Sequence, residues 1–276
     1  MASAQTIDGV GSGGSEICWP PQHRLFGVPV SAVSLAHAER CILAAAREGR
    51  RALVDHLSVH GLAEAHRDAR FRAALERFTI VAPDGQPVRW ALNLLFRTGL
   101  RERVYGPALM DRLCARAAEE GIGVYLYGGS REVLLRLCEN LRERHRGLRI
   151  VGAEAPPFRP LTEEEDRASV ERIERSGARL VFVGLGCPKQ ELFAAAHADR
   201  IHTVQLCVGA AFDFLAGTKP MAPRWMQDRG LEWLFRLASE PRRLWRRYLV
   251  ANSHFVVRLA GELVRQKLGS RAGDAR

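Results

Sequence analysis

Short apolar runs alternate with amphipathic stretches along most of this chain. Six apolar, β-branched runs predict strands, and each leads into a helical stretch or into a loop before one. Such runs are typical of strands buried on both faces, as in a mainly parallel sheet covered by helices. The predicted strands are Ala52–Val54, Phe78–Val81, Gly123–Tyr127, Leu148–Gly152, Arg179–Gly184 and Thr203–Val208. The pattern therefore predicts the α/β class, with a mainly parallel, Rossmann-like sheet.

The N-terminal region departs from this alternation. Residues 1–17 are rich in Gly and Ser and carry no Lys or Arg, which predicts a flexible tail and not a signal peptide. An extended piece is expected at Phe26–Val30. A helix over Ala32–Glu48 is expected to follow it, with Ser31 as the N-cap.

The C-terminal region departs from it as well. From Ala222 the sequence is amphipathic helix, and Pro241 predicts a break that divides it into two helices. These changes of character predict four segments. They are a flexible tail over 1–17, an α/β body over 18–221, a basic amphipathic helical appendage over 222–268, and a second flexible tail over 269–276.

Composition narrows the class of protein. Hydrophobic residues make up 47% of the chain and charged residues 26%, as in folded globular proteins and unlike disordered chains. Apolar runs all fall short of the ~18 residues of a membrane span, so a cytoplasmic protein is expected. Six cysteines without a CxxC pair predict neither a disulfide framework nor a zinc site.

Positive charge is concentrated near the C-terminus. Of the net charge of +10, +8 lies in residues 219–276, which hold 13 Lys or Arg and 5 Asp or Glu. Such a segment predicts an anionic partner, namely phospholipid headgroups, a pyrophosphate or nucleic acid. Within it, Pro241–Leu249 interleaves arginines with Trp and Tyr, as helices on anionic membranes do. A solvated helix face, a subunit interface and a nucleic-acid patch are the alternatives.

Gly, Pro and Asp gather just after the carboxyl ends of the predicted strands, where open α/β sheets bind their ligands. Two of these loops join a strand to a helix through glycines, so their backbone N–H groups can bind a phosphate. A tight turn that requires glycine is the alternative. Lys189 occupies the third glycine position of GxGxxG, which disfavours a nicotinamide enzyme. The candidate loops are Pro83–Gly85, Gly128–Ser130, Glu154–Pro160, Gly184–Lys189 and Gly209–Thr218.

Two aspartates in these loops are candidate functional residues. Asp84 is either a helix N-cap or a general base that takes a proton from a hydroxyl. Asp213 either accepts hydrogen bonds from a base or ribose or caps the chain near Thr218.

Asp55, His56 and His60 are a further candidate group, and the two histidines, four residues apart, fit a metal-binding face of a helix. The chain lacks HExxH and an evident third strong ligand, so no metal site is predicted.

Seven segments, in the same order over about His60–Tyr248, resemble the WecG/TagA/CpsF glycosyltransferase family. The most specific are GLGCPKQE, within the fifth segment, and the last segment. The segments are HGLAEAHRDARFRAAL, PDGQPVRWA, RVYGPALM, VYLYGG, LVFVGLGCPKQE, VGAAFDFLAGT and APRWMQDRGLEWLFRLASEPRRLWRRYL.

The resemblance implies an inverting glycosyltransferase of cell-surface or exopolysaccharide synthesis. It would move a hexose-type sugar from a UDP-sugar to a polyprenyl-diphosphate-linked acceptor, peripherally on the anionic inner face of the cell membrane. Nucleic acid is not an expected partner, and a homo-oligomer is compatible with the exposed apolar residues. Because the chain has no DxD motif, no metal or other cofactor is expected. A soluble, epimerase-like enzyme that modifies UDP-sugars is the alternative.

By position, the resemblance implies that Asp84 is the catalytic base. Arg103 and Gln190 correspond to polar pocket residues that hold the donor or its developing charge. His56 and Ser58 stand where the family usually has Thr-x-Asn, so His56 either assists Asp84, alters the choice of acceptor or is structural.

The resemblance also implies a UDP pocket and a set of arginines that the appendage lends to the site. The pocket residues are Gly128, Gly129, Gly184, Gly186, Pro188 and Asp213, and the candidate arginines are Arg224, Arg242, Arg243, Arg246 and Arg247.

Overall fold

An antiparallel hairpin precedes the sheet in the computed structural model, which describes residues 16–273 except the side chains of residues 224, 228, 243, 246–248 and 267–273. Its strands are β1 (Gln22–Leu25) and β2 (Val28–Ser31), so the single extended piece predicted here is a hairpin. Most of the predicted N-terminal tail lies outside the described residues. Ile17, at its end, is buried in the core.

The predicted N-cap at Ser31 is wrong. Ser31 ends β2, and its buried hydroxyl accepts a hydrogen bond from the backbone N–H of Val81 at 3.0 Å. Helix α1 (Leu35–Glu48) is capped instead by Ser34, which accepts from the backbone N–H of His37 at 3.3 Å. The side chain of Ser31 therefore joins the hairpin to the sheet, and the helix begins three residues later than predicted.

Within the described residues, six parallel strands form the central sheet, so the predicted fold class is confirmed. Each corresponds to one of the predicted apolar runs. The strands are β3 (Ala52–Leu57), β4 (Ile80–Pro83), β5 (Gly123–Gly128), β6 (Arg149–Glu154), β7 (Leu180–Gly184) and β8 (Val204–Cys207). Across the sheet their order is β4-β3-β8-β7-β5-β6, which places β3, β8 and β7 in the middle.

Helices cover both faces of the sheet, and the alternation of side chains along the strands separates the two cores. Val54 belongs to the cluster on one face, whereas its neighbour Leu53 belongs to the cluster on the other. The helices of the body are α2 (Val59–Arg67), α3 (Ala69–Leu75), α4 (Gln86–Phe96), α5 (Gly106–Glu120), α6 (Arg131–Arg144), α7 (Glu163–Arg175), α8 (Lys189–Ala196) and α9 (Ala211–Leu215).

The appendage contains three helices in its described part, where two were predicted. They are α10 (Arg224–Asp228), α11 (Glu232–Ser239) and α12 (Pro241–Gly273). Pro241 begins α12, so the predicted break is confirmed, and α12 extends past the predicted boundary at residue 268. No helix in the described range has both the length and the apolar character that crossing a bilayer requires.

Helix α12 packs on the body along α2 and α4. Its Phe255 is buried in the core cluster of the hairpin side, and its ring contacts that of Phe26 with centroids 5.5 Å apart. Farther along, the side-chain amide of Gln266 donates to the carbonyl of Leu95 at 3.2 Å. The appendage therefore shares its apolar core with the α/β body.

Candidate active site

A large cleft opens at the carboxyl ends of the parallel strands, as expected from the sequence. Its volume is about 1440 Å³. All five predicted loops contribute residues to its lining, and the appendage contributes Glu232, Trp233, Arg236 and Asn252. The cleft is therefore bounded by the sheet below and by the appendage beside it.

Asp84 lies at the floor of this cleft, immediately after β4. Its backbone N–H donates to the carbonyl of Leu57 at 3.0 Å, which fixes the turn against the end of β3. Gly85, with φ +107°, takes the N-cap position of α4, and no described side chain caps this helix. The N-cap interpretation of Asp84 is therefore wrong, and its carboxyl group is available to the cleft.

The Asp84 carboxyl group faces Arg103. Arg103 Nη1 lies 3.5 Å from Asp84 Oδ1, an oxygen that is buried and has no hydrogen-bond partner among the described residues. Arg103 is brought here because the next backbone N–H, that of Val104, donates to the carbonyl of Pro83 at 3.0 Å. This backbone hydrogen bond holds the segment that carries Arg103 beside the turn that carries Asp84.

Arg103 also forms a close ion pair with Glu232 of α11, and its guanidinium lies 4.2 Å from the centre of the Tyr105 ring. Burial raises the pKa of Asp84 to about 6, the charge of Arg103 opposes this rise, and the charge of Glu232 adds to it. A carboxylate with such a pKa is ionised at neutral pH and still basic enough to accept a proton.

His56 projects from β3 into the same cleft. Its Nδ1 lies 3.0 Å from the carbonyl oxygen of Cys207, and because a carbonyl only accepts, Nδ1 carries the proton. Nε2 is then an acceptor, buried and without a hydrogen-bond partner among the described side chains and backbone groups. Burial lowers the pKa of His56 to about 4, so the ring is neutral.

The glycines of the two phosphate-loop candidates have different roles. A Cβ on Gly128 would lie 2.6 Å from the backbone of Gly184, and a Cβ on Gly184 would lie 2.6 Å from the Phe212 ring, so both are required by packing. Gly129 and Gly186 line the cleft, and nothing lies within 4 Å of a Cβ on Gly186. Pro188, the N-cap of α8, is not among the lining residues.

Gln190 lines the cleft, but its side chain is committed to the protein. Its Oε1 accepts from the backbone N–H of Gly186 at 3.1 Å, and its Nε2 donates to Glu191 Oε1 at 3.0 Å. Only 4% of the residue is exposed. Gln190 therefore fixes the turn after β7, which its position in the sequence did not indicate.

The sequence of this chain matches the model of the glycosyl transferase WecG/TagA/CpsF family over residues 23–270. This match spans most of the chain, the cleft and the appendage included. The chain belongs to the WecG/TagA/CpsF family. It is therefore a glycosyltransferase of a family that acts in cell-surface polysaccharide synthesis.

In this WecG/TagA/CpsF family member, Asp213 lines the cleft and also holds the chain that leads to the appendage. The Thr218 hydroxyl donates to the Asp213 carbonyl at 3.1 Å, and Lys219 Nζ lies 3.7 Å from Asp213 Oδ2. Both interpretations of Asp213 are thus compatible with its position.

Of the five candidate arginines, the structure describes the side chain of one. Arg242 is exposed and does not line the cleft. The side chains of Arg224, Arg243, Arg246 and Arg247 lie outside the described residues.

The appendage brings Glu232 and Arg236 to the cleft, and sequence reasoning missed both. The sequence indicates only that both residues lie on an amphipathic helix. That pattern does not indicate what the helix packs against.

His56 and His60 do not lie on one face of a helix, because His56 is on β3 and His60 is on α2. Among the described residues, no group of three or more His, Cys, Asp or Glu has a metal-binding arrangement.

Proposed function

We propose that the protein is an inverting glycosyltransferase that moves a hexose-type sugar from a UDP-sugar to a polyprenyl-diphosphate-linked saccharide at a membrane surface. The Oδ1 of Asp84 at the floor of the cleft carries this proposal, because it is buried beside Arg103 and has no hydrogen-bond partner among the described residues. Asp84 takes the proton of the acceptor hydroxyl as that oxygen attacks the anomeric carbon. UDP leaves from the opposite face, so the anomeric configuration inverts.

The lining of the cleft also supports a diphosphate leaving group. Gly129 and Ser130 line it at the N-terminus of α6, where backbone N–H groups and the helix dipole favour negative charge. Lys189 and Arg236 add positive charge to the lining. Groups fixed in this way stabilise the charge that grows on the β-phosphate more than the charge of the bound donor. This role needs no divalent metal.

A lipid-linked acceptor accounts for the surface of the appendage. Trp225, Trp233, Trp245 and Leu249 are between 43% and 62% exposed, in the segment that carries most of the net charge. Exposed Trp and Leu beside arginines bind the interface of anionic bilayers. Trp233 also lines the cleft beside Glu232, so α11 would bring the mouth of the cleft close to the proposed bilayer.

A donor screen tests the proposal. The purified protein is incubated with a panel of UDP-sugars and a short polyprenyl-diphosphate-linked saccharide in anionic vesicles, and UDP release, product mass and anomeric configuration are measured. We expect UDP release that depends on one donor and on the lipid acceptor, with an inverted linkage. Conversion of a UDP-sugar without lipid would favour the soluble UDP-sugar-modifying enzyme, and a retained configuration would exclude the single displacement.

A further inference from the structure

Two carboxyl groups lie buried beneath the cleft, and the proposed transfer does not use them. Asp55 projects from β3 and is 1% exposed, and Glu191 projects from the first turn of α8 and is 2% exposed. The two groups lie within hydrogen-bonding reach of each other. Both are among the few acidic residues that are buried in the described part of the chain.

As two ionised groups, this pair would have four buried carboxylate oxygens and a hydrogen bond to only one of them, the bond from Gln190 to Glu191 Oε1. Both oxygens of Asp55 and Oε2 of Glu191 are buried and have no donor among the described residues. Two adjacent buried negative charges are strongly unfavourable. One proton between the carboxyl groups supplies the missing hydrogen bond and removes one charge.

The remaining titratable neighbours add no positive charge. Cys207 of β8 and Cys187 of the turn before α8 are thiols, and Asp84 of the cleft floor is a further carboxylate. Burial, and then the charge of Glu191, raise the pKa of Asp55 well above its usual range, and burial raises that of Glu191 as well. A proton is therefore retained at neutral pH.

This pair is connected to the cleft through Gln190. Glu191 Oε1 accepts from the Gln190 amide at 3.0 Å, and the other end of that amide accepts from the backbone N–H of Gly186 at 3.1 Å. A Cβ on Gly209 would lie 3.3 Å from Gln190 Oε1. Gln190 thus links Glu191 to the turn after β7 by two hydrogen bonds and packs closely against the turn after β8.

We propose that Asp55 and Glu191 are positioning residues that share one proton and hold the Gly186 turn in the shape that binds the nucleotide diphosphate. The nucleotide part of this inference rests on the proposed function, whereas the shared proton and the fixed turn do not. Asparagine at position 55 reproduces the protonated carboxyl group, since its amide donates to Glu191. Alanine there removes the donor and leaves a cavity.

Wild type, Asp55→Asn, Asp55→Ala and Glu191→Asp are compared, with Glu143→Gln on the exposed face of α6 as the control. Glu191→Asp retracts the carboxyl group and serves if the alanine variant does not fold. Hydrogen exchange of the segment 184–191 reports on the turn, calorimetry with UDP reports on binding, and melting temperature from about pH 5 to about pH 9 reports on the proton.

The expected outcome separates the variants. Asp55→Asn keeps the wild-type exchange and binds UDP within about twofold, whereas Asp55→Ala or Glu191→Asp exchanges faster and loses at least about tenfold in UDP affinity. Because the pKa values of the two carboxyl groups are raised in the folded protein, the stability of wild type decreases as the pH rises. Asp55→Asn lacks this loss, so its melting temperature should exceed that of wild type by an amount that grows with pH. Glu143→Gln changes neither quantity.

Other results would overturn the inference. A melting difference between Asp55→Asn and wild type that is constant with pH would exclude the shared proton. Exchange in Asp55→Asn as fast as in Asp55→Ala would exclude the positioning role. If UDP does not bind wild type, the proposed donor is wrong, and the exchange and melting measurements still decide the role of the pair.

Discussion

Glu232 on the appendage helix α11 is ion-paired with Arg103, the residue whose other guanidinium nitrogen lies 3.5 Å from Asp84. Both acids therefore share one cation. The side chains of Arg103 and Glu232 are only 12% and 11% exposed, so solvent screens the arrangement weakly. The appendage thus influences the proposed base through charge as well as through shape.

Neutralising Glu232 is expected to lower the pKa of Asp84. Glu232→Gln removes a negative charge that raises this pKa and frees Arg103 to pair with Asp84 more closely, and both effects favour the ionised carboxylate. The acidic limb of the kcat/KM profile should shift to lower pH. Glu262→Gln, at a half-buried position of α12 that does not line the cleft, is the control. An unshifted limb in Glu232→Gln would show that Glu232 does not act on Asp84.

Asp84→Asn should reduce transfer by about 10²-fold to 10⁴-fold, because an amide does not accept a proton. UDP binding should change little. The melting temperature at neutral pH should not fall, since the carboxyl group is not a helix cap and its raised pKa means that the buried carboxylate lowers stability there. In wild type the rate should fall below about pH 6, as Asp84 takes up a proton. Asp199→Asn on the surface is the matched control, and turnover that persists in Asp84→Asn would remove Asp84 as the base.

His56 should stay neutral far below its ordinary pKa. Because burial lowers the pKa of His56 to about 4, the unfolded chain takes up this proton at a higher pH than the folded protein does. Stability should therefore decrease as the pH is lowered from about 6.5 to about 4. His56→Gln should remove that part of the acid destabilisation. NMR titration of the ring measures the pKa directly, and a midpoint near 6.5 would contradict the buried, singly protonated state.

Loss of exposed aromatic and apolar groups from α12 should weaken vesicle binding. Trp245→Ser with Leu249→Ser removes two residues that are 52% and 62% exposed, so the fold should be unaffected. Flotation with anionic vesicles measures the loss, and Leu135→Ser, an exposed leucine on α6, is the control. Deleting the whole appendage is less informative, because Phe255 belongs to the core of the body. Equal flotation of both variants would argue against a membrane face here.

Gly184→Ala should destabilise the protein by about 1–3 kcal/mol, since the added methyl would meet the Phe212 ring at 2.6 Å. Gly261→Ala places the same methyl group on α12, where nothing lies within 4 Å, and should be neutral or stabilising. Melting temperatures of the two variants measure the difference. Similar values would mean that the Phe212 ring moves aside without cost.

Periodicity was sufficient to predict the sheet because five of its six described strands are almost wholly buried, which leaves short, continuous apolar runs. The sixth, β6, lies at the edge of the sheet and is only half-buried. Asp84 could be identified as a candidate because loops at the carboxyl ends of parallel strands meet at one edge. The Ser31 cap could not be corrected from sequence, since the hydroxyl's partner, Val81, belongs to a distant strand. Local capping signals do not report such tertiary competition.

Contacts between separate elements could not be predicted from the sequence either, because local patterns do not show how the elements pack together. Asp55 stands out in its apolar run, but only the packing of α8 on β3 shows that it meets Glu191. Glu232 approaches Arg103 because α11 docks at a particular angle beside the cleft, and an amphipathic pattern specifies which face is buried without specifying the partner.

The contact between Phe26 and Phe255 joins the N-terminal hairpin to the last helix. Ribosomal synthesis releases the hairpin more than 200 residues before Phe255, so this part of the core stays incomplete until α12 has emerged. The apolar face beneath Phe255 is exposed to chaperones and proteases until then. A stop codon or frameshift between the body and Phe255 should therefore yield an aggregation-prone body and not a smaller active enzyme.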